Sequence, residues 1–403
     1  MKKIKYFLGI ILCLVLIFTA CEQKTKNVTE TKEDTPKVEE KKTISEESAL
    51  ETKEPEKEKD IIVSRGKVRV AHLVNGFLGD KSFHDSAERG LSNLKAQLKD
   101  DFEYKSVEMT DDTTKHLPTL YEYAESGDWD IIIVGTWQMV EPLMEVAEAH
   151  PKQKFIIYDD ALDYTEGKYG NVYSVKFKQN EGSYLAGYLA AKLSKVEGDP
   201  KIDPSESKIG FLGGMSNPVI NDFLVGYIQG AVAADTNVKV VVSYINDFFD
   251  APKGKSLALV QYQNDGVDVG FNVASLAGLG QLDAALEANK YAIGVDSDQA
   301  ELVGEPRSAH IPTSMLKNVD KAIERAIKLY KNGELKFGEE EVLGIKEGAV
   351  GLIKNDNYKK MIPENIQMEI EETEKRLIAG ELEVQSAFGK SNEDIERIIE
   401  SVK

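Results

Sequence analysis

The residues best suited to chemistry stand in short polar loops, each directly after an apolar run. These loops comprise residues 75–84, 135–138, 159–160, 213–217, 246–250, 274–278 and 296–299. They combine aromatic rings, carboxylates and side-chain amides. Rings stack on flat groups and carboxylates accept hydrogen bonds from hydroxyls, so this mixture indicates a binding site for a small polar ligand with one flat face.

The known catalytic motifs are incomplete in this sequence. Residues 254–256 read Gly-Lys-Ser like the end of a phosphate-binding loop, but Phe249 stands where the first glycine is required. Residues 278–280 open like a dinucleotide-binding fingerprint, but Asp283 replaces its third glycine. The five histidines have no metal-ligand spacing. We therefore expect a binding protein rather than an enzyme, with no cofactor and no metal.

The elements that must position these loops alternate between strand and helix. Apolar β-rich runs predict nine strands, at residues 67–74, 102–109, 130–135, 154–159, 171–177, 208–213, 238–245, 267–273 and 291–295. Helical periodicity between them predicts helices that include residues 82–98, 138–150, 181–194, 218–234, 253–264 and 279–289. Such alternation favours parallel sheets covered on both faces, and nine strands favour two α/β lobes over one. Ligands of such folds bind at the carboxyl ends of the strands.

The overall composition excludes several classes of protein. The chain has 403 residues, with 50 Lys and Arg against 69 Asp and Glu, which gives a net charge of −19. Phosphate binding needs a concentrated positive surface, so this balance argues against nucleic acid as a partner. A hydrophobic fraction of 41% fits a soluble globular body and excludes a membrane protein with many spans.

The first 20 residues have the pattern of an export signal. Three lysines precede an apolar run at residues 7–18, which is shorter than the roughly 20 residues that span a bilayer. The sequence Phe18-Thr19-Ala20-Cys21 then resembles a bacterial lipobox. We expect cleavage after residue 20, lipidation of Cys21 and anchoring at the extracytoplasmic face of the cell membrane. The alternative is an ordinary secretory signal that is followed by a cysteine by chance.

A charged segment separates Cys21 from the part of the chain that can fold. Residues 22–60 carry 13 acidic and 9 basic side chains and very few large apolar ones. Such a composition cannot offset the entropy lost on ordering, so we interpret residues 21–64 as the lipidated cysteine and a disordered tether. A partner-binding tail is the alternative interpretation.

Five segments of the sequence resemble a known family. They are Asp80-Lys-Ser-Phe-His84, Asn180-Glu-Gly-Ser-Tyr-Leu-Ala-Gly187, Lys208-Ile-Gly-Phe-Leu-Gly-Gly-Met215, Ala292-Ile-Gly-Val-Asp-Ser-Asp-Gln299 and Thr313-Ser-Met-Leu-Lys-Asn-Val-Asp320. Together they resemble the basic membrane protein family of ABC-transporter substrate-binding lipoproteins, whose best understood members are purine nucleoside receptors. The resemblance implies an α/β type I periplasmic-binding-protein fold: two doubly wound parallel-sheet lobes joined by a three-crossing hinge. We expect residues 65–160 and about 300–345 in one lobe, and residues 161–299 and about 346–403 in the other.

The resemblance also implies a set of ligand-binding residues. Phe83 and Phe223 match the two rings that sandwich a nucleobase. Asp296 and Lys317 match the residues that hold the ribose hydroxyls, and Asp159 matches the carboxylate that faces the base. In the absence of the resemblance, core packing of each ring and a helix-capping role of each carboxylate would be the more common interpretations.

Three further residues belong to the predicted site, and one segment departs from the family. Asp80, His84 and Trp137 stand in the loops that follow the first and third predicted strands. His84 replaces an asparagine of the family motif. Residues 274–278 replace a Gly-Gly-Thr stretch whose bare backbone lets a sugar approach closely.

The predicted function is that of a lipid-anchored substrate-binding protein of an ABC transporter. It would capture a nucleoside-like ligand between the lobes and deliver it to the permease and ATPase subunits, acting as a monomer. The alternative is a lipid-anchored ligand sensor or surface protein on the same scaffold, with a ligand other than a nucleoside.

Overall fold

The computed structural model describes residues 66–403, which lie within a single compact unit. The signal sequence, Cys21 and the charged segment up to residue 64 fall outside the described residues. The twelve strands are β1 (Val68–Val74), β2 (Phe102–Glu108), β3 (Ile131–Gly135), β4 (Lys154–Tyr158), β5 (Val172–Phe177), β6 (Lys208–Gly213), β7 (Lys239–Tyr244), β8 (Val269–Val273), β9 (Tyr291–Asp296), β10 (Ser314–Lys317), β11 (Glu339–Leu343) and β12 (Val350–Leu352).

Helices alternate with these strands along most of the chain. They are α1 (Phe83–Leu98), α2 (His116–Ser126), α3 (Val140–Ala149), α4 (Gln179–Leu193), α5 (Pro218–Ala234), α6 (Ala251–Gln263), α7 (Ser275–Ala288), α8 (Gln299–Val303), α9 (Val319–Asn332), α10 (Asp356–Met361), α11 (Glu364–Ile378) and α12 (Asn392–Glu400). None of these helices, which cover only the described part of the chain, is long and apolar enough to cross a membrane.

The strands form two separate six-stranded sheets. The first has the order β11-β5-β4-β3-β1-β2 and the second the order β12-β10-β9-β8-β6-β7. All neighbouring strands run parallel except β12, which is antiparallel to β10. Central strands are covered by helices on both faces, which is why every residue of β3 and β9 is buried and why these strands are nearly continuous apolar runs. The predicted α/β fold with two parallel-sheet lobes is confirmed.

The chain passes between the two lobes three times. The passages lie at Lys178 between β5 and α4, at Asn318 between β10 and α9, and at residues 344–349 between β11 and β12. α9 returns to the first lobe, where it packs so closely on α1 that a Cβ on Gly90 would lie 2.7 Å from the carbonyl oxygen of Asp320.

The strand pairing divides the chain differently from the predicted lobe boundaries at two points. β5 lies in residues 161–299, which we expected in the second lobe, but it pairs with β4 in the first sheet. β10 lies in residues 300–345, which we expected in the first lobe, but it pairs with β9 in the second sheet. Hydrogen-bond partners decide which sheet a strand joins, and the composition of a strand does not specify its partner.

The glycines of the motif at residues 180–187 have a packing role in the second lobe. A Cβ on Gly187 of α4 would lie 1.9 Å from the carbonyl oxygen of Tyr227 in α5. Only glycine therefore permits this approach of the two helices, which place Phe223 of α5 beside the cleft.

Candidate functional site

A cavity lies between the two lobes at the carboxyl ends of their strands. The space between the lobes at this point, counted together with the solvent at its opening, is about 670 Å³. Its lining residues are Asn75, Phe83, His84, Thr136, Trp137, Gln138, Asp159, Asn217, Val219, Ile220, Phe223, Phe248, Phe249, Val273, Ala274, Ser275, Val295, Asp296 and Lys317. Both lobes contribute to the wall, so a ligand here would contact both.

Charged groups are concentrated at the inner end of the cavity. Lys317, at the end of β10, is only 1% exposed and forms an ion pair with Asp159, which follows β4 in the opposite lobe. Asp296, at the end of β9, accepts a hydrogen bond from the hydroxyl of Ser82 across the lobes. A lysine buried this deeply requires such partners, because an unpaired buried charge costs several kcal/mol.

Two buried carboxyl groups, Asp159 and Asp296, share one cation, Lys317. Burial raises the pKa of Asp296 to about 7, although Lys317 and the hydrogen bond from Ser82 act in the opposite direction. Burial also raises the pKa of Asp159, and the attraction of Lys317 offsets this only in part. An arrangement of this kind favours ligands that donate hydrogen bonds from uncharged groups and disfavours anions.

Aromatic rings surround the ammonium group of Lys317. The lysine Nζ lies 5.6 Å from the ring centroid of Phe83, 5.1 Å from that of Phe223 and 5.3 Å from that of Phe177. Phe83 belongs to the first lobe and Phe223 to the second, and both line the cavity. The two rings therefore offer flat apolar surfaces from opposite lobes within reach of the charged groups.

Side-chain amides form part of the wall in the first lobe. The amide nitrogen of Asn75 donates to Thr136 Oγ1 at 2.8 Å and to Gln138 Oε1 at 3.0 Å. Both of its hydrogens are thereby used, while the buried Oδ1 of Asn75 has no hydrogen-bond partner among the described residues. The same is true of Nδ1 of His84, whose pKa is lowered by burial so that the ring is neutral. Asn75 Oδ1 and His84 Nδ1 are therefore suited to hydrogen bonds with N–H groups or ring nitrogens along one edge of a ligand.

Backbone strain accompanies the site. Of the eleven non-glycine residues with positive φ in the described chain, five lie at this edge: Thr136 (70°), Asp159 (71°), Asn246 (58°), Ser275 (49°) and Asp296 (63°). All five follow or end strands at the edge where the cavity lies, and four of them line it. Such conformations cost of order 1–3 kcal/mol each and concentrate at functional sites, because the surrounding structure must hold the side chains in place.

Direct contacts hold the two lobes together on one side of this cavity. Ser275 donates to Asp80 at 2.9 Å, and Gln299 donates to the carbonyl oxygen of Lys81 at 3.3 Å. Arg89 donates to Ser297 at 3.3 Å. Together with the pair of Ser82 and Asp296, these contacts define a closed arrangement of the lobes.

Seven of the eight predicted site residues line the cavity. They are Phe83, His84, Trp137, Asp159, Phe223, Asp296 and Lys317. Asp80 differs, because its carboxylate lies outside the lining and accepts hydrogen bonds from the backbone amides of residues 82, 84 and 85 and from Ser275. Asp80 therefore fixes the start of α1, which carries Phe83 and His84, and links the lobes.

Several lining residues were absent from the predicted set. Asn75, Thr136, Gln138, Phe248, Phe249 and Ser275 all line the cavity. Each stands in a loop that follows a predicted strand, so the rule that ligands bind at the carboxyl ends of strands would have indicated these residues. The chemistry of a single side chain gave no reason to prefer these residues over their neighbours.

Comparison with known proteins places this site in context. Residues 67–386 match the family model described as ABC transporter substrate-binding protein, PnrA-like (Bmp). Basic membrane protein A2 of Borrelia garinii subsp. bavariensis is 32% identical over 325 residues, which cover 79% of this chain and 88% of that protein. The CD4+ T-cell-stimulating antigen of Listeria monocytogenes is 31% identical over 327 residues, with 77% and 85% covered.

Solved structures of solute-binding proteins have the same fold. The crystal structure of an ABC transporter solute-binding protein from Aeropyrum pernix K1 superposes with a TM-score of 0.71 at 27% identity, covering 83% of this chain and 97% of that one. A solute-binding protein from Conexibacter woesei, at 21% identity and a TM-score of 0.62, shares the fold alone.

Proposed function

Because this chain belongs to the Bmp family of PnrA-like ABC transporter substrate-binding proteins, we propose that its ligand is an uncharged nucleoside held in the cleft between the lobes. Phe83 and Phe223 stack on the two faces of the base. Asp296 and Lys317 bind the sugar hydroxyls, and Asp159 together with Asn75 and His84 faces polar groups of the base. The observation that carries this proposal is the pair of rings, one from each lobe, within 5.6 Å of a buried lysine that is ion-paired with a carboxylate.

Charge supports a nucleoside over a nucleotide. Asp159 and Asp296 share the one cation, Lys317, and burial raises the pKa of both, so further negative charge is unfavourable here. A phosphate group would add negative charge beside buried carboxylates, and like charges in such positions cost several kcal/mol. The cavity therefore selects for neutral ligands that donate hydrogen bonds.

The aromatic rings and amides together support a nucleoside over a simple sugar. A sugar ring would satisfy the carboxylates and could stack on one aromatic ring. It would leave the Asn75 acceptor and the second ring without complementary groups, whereas a nucleobase supplies two flat faces and a polar edge.

The protein acts in transport from the extracytoplasmic side of the membrane in this proposal. Lipidation of Cys21 anchors it, residues 22–64 give the binding lobes reach, and closure on the ligand prepares it for delivery to the permease and ATPase subunits. Nucleoside stabilises the closed arrangement because it contacts both lobes at once.

Calorimetry tests the ligand assignment. The soluble chain of residues 65–403 is titrated with adenosine, guanosine, inosine, cytidine and uridine, and with ribose and AMP as comparisons. We expect heat and a thermal shift with at least one nucleoside, and affinities at least tenfold lower for ribose and AMP. No response to any nucleoside would remove this ligand class.

Uptake of the labelled ligand tests the role in transport. Cells that lack the protein should lose uptake of the nucleoside that binds best, and the intact chain should restore it. Unchanged uptake, despite tight binding in solution, would instead favour the ligand-sensor interpretation.

A further inference from the structure

Two aromatic residues of the cavity wall, Trp137 and Phe249, are more exposed than the buried Phe83 and Phe223, and we call them the outer part of the wall. We propose that these two residues form an outer subsite for an aromatic or apolar group that projects from the bound nucleoside. The inference rests on the proposed function, and it extends the ligand class to nucleosides with a substituent on the base or at the 5′ position.

Trp137 differs from the other tryptophan in its surroundings. Trp129 stacks on Tyr123 with ring centroids 6.0 Å apart. Trp137 is 45% exposed and makes no ring contact with any residue that the structure describes. Exposing so much of an indole costs favourable burial, which a ligand ring on its surface would supply.

The backbone before Trp137 is held in a strained conformation. Thr136 has a φ of 70°, which is rare for a β-branched residue. Its amide donates to the carbonyl oxygen of Tyr158 at 2.9 Å, and its hydroxyl accepts from Asn75 at 2.8 Å. These bonds fix the turn from which Trp137 extends. Strain of this kind, where hydrogen bonds maintain it at a cavity wall, indicates that the placement of the side chain matters.

On the second lobe, local hydrogen bonds also fix the position of Phe249. The Asp247 carboxylate accepts hydrogen bonds from the backbone amides of Phe249, at 2.5 Å, and Asp250, at 2.9 Å. The ring of Phe249 makes an edge-to-face contact with Phe77 of the first lobe, at 5.2 Å between centroids. Phe249 belongs to the second lobe, and this contact with the first lobe fixes its ring in the closed cleft. Trp137 belongs to the first lobe.

The test compares three probes on the soluble chain of residues 65–403. Adenosine has no substituent, N6-benzyladenosine carries a ring on the base, and 5′-O-benzoyladenosine carries a ring at the sugar. Calorimetry gives the affinity ratio of each substituted probe to adenosine. We expect one of the two substituted probes to bind about tenfold more tightly than adenosine, a gain typical of an aromatic contact beyond simple burial.

Two tryptophan variants assign the gain to the subsite. In Trp137→Ala the affinity ratio should fall to about one, whereas in Trp129→Phe it should stay near ten. Trp129→Phe also leaves Trp137 as the single tryptophan of the soluble chain, so quenching of its fluorescence by the preferred probe reports contact directly.

Each result has a defined meaning. Adenosine binding with a ratio of one or less for both substituted probes would overturn the outer subsite and leave the proposed function intact. A gain that Trp137→Ala does not remove, or that leaves Trp137 fluorescence unchanged, would also overturn it. Failure of all three probes to bind would overturn the outer subsite, and the proposed function would fall with it only if guanosine, inosine, cytidine and uridine also gave no response.

Discussion

Lys317 and Asp159 form a buried ion pair that joins the two lobes across the inner end of the cleft. The lysine ends β10 in the second lobe, and the aspartate follows β4 in the first. No other lysine in the described chain is as deeply buried. This pair fixes the position of the one cation around which the rings and the second carboxylate are arranged.

Removing the lysine should destabilise the protein strongly. Lys317→Met leaves Asp159 and Asp296 buried without a cation, so we expect the free energy of unfolding to fall by about 3–5 kcal/mol. Urea denaturation of the soluble chain measures this loss. Lys328→Met, which removes an exposed pair with Glu324, is the matched control and should cost less than about 1 kcal/mol. Equal losses in the two variants would contradict the importance of the buried pair.

The stability of the protein should depend on pH through Asp296. Its pKa of about 7 in the folded state lies above the ordinary value of 3.8, so folding favours the protonated carboxyl. The stabilisation from this proton is complete below pH 3.8 and is lost as pH rises through 7, by roughly 4 kcal/mol.

Asp296→Asn isolates that dependence from other buried carboxylates, among them Asp159 and Asp222, whose pKa values are also raised. The difference in unfolding free energy between the variant and the natural chain should change steadily from pH 4 to pH 7 and then level off. A difference that is constant over this range would show that Asp296 titrates normally.

Stacking in the cleft should depend on the ring of Phe223. Phe223→Leu keeps most of the side-chain volume but removes the π face, and we expect nucleoside binding to weaken by about 1–3 kcal/mol. Calorimetry with the nucleoside that binds best gives the change. Phe388→Leu, on the exposed surface outside the cavity, should leave the affinity unchanged. Retained affinity in Phe223→Leu would refute the sandwich.

The direct bonds between the lobes should set the ease of closure. Ser275→Ala removes the hydrogen bond to Asp80, and we expect ligand affinity to fall by about 0.5–1.5 kcal/mol because the closed arrangement loses stability. Ser256→Ala, which removes a bond within α6 on the surface, serves as the control. Small-angle scattering without ligand should show a larger radius of gyration for Ser275→Ala only.

Membrane attachment should depend on Cys21. In cells, Cys21→Ser should abolish labelling by a fatty-acid analogue and move the protein from the membrane fraction to the released fraction. The intact chain provides the comparison. Labelling that persists without Cys21 would contradict the anchor and favour an ordinary secretory signal.

Local patterns were sufficient to predict nine strands, among them β2 and β7 at the edges of the two sheets. All nine predicted strands are present with boundaries close to those expected. β10, β11 and β12 were not predicted. β11 has the sequence Glu-Glu-Glu-Val-Leu, and β12 is three residues long. Edge strands of this kind lack the continuous apolar run that burial on both faces imposes, so pairing with a neighbour determines them.

The sequence by itself determined that the chain alternates β and α elements, and the resemblance of its motifs singled out five residues that share one cavity: Phe83, Asp159, Phe223, Asp296 and Lys317. Both depend on short-range information: periodicity along an element, and the side chains that follow each strand. Only the tertiary structure decided that Asp80 supports α1 instead of lining the cavity. It also decided that β5 belongs to the first lobe and β10 to the second, contrary to the predicted boundaries. Finally, it placed Asn75 and Gln138 in the same wall as Trp137. These features depend on which strands become neighbours and on how two lobes close, and such contacts between distant residues leave no periodic trace in the chain.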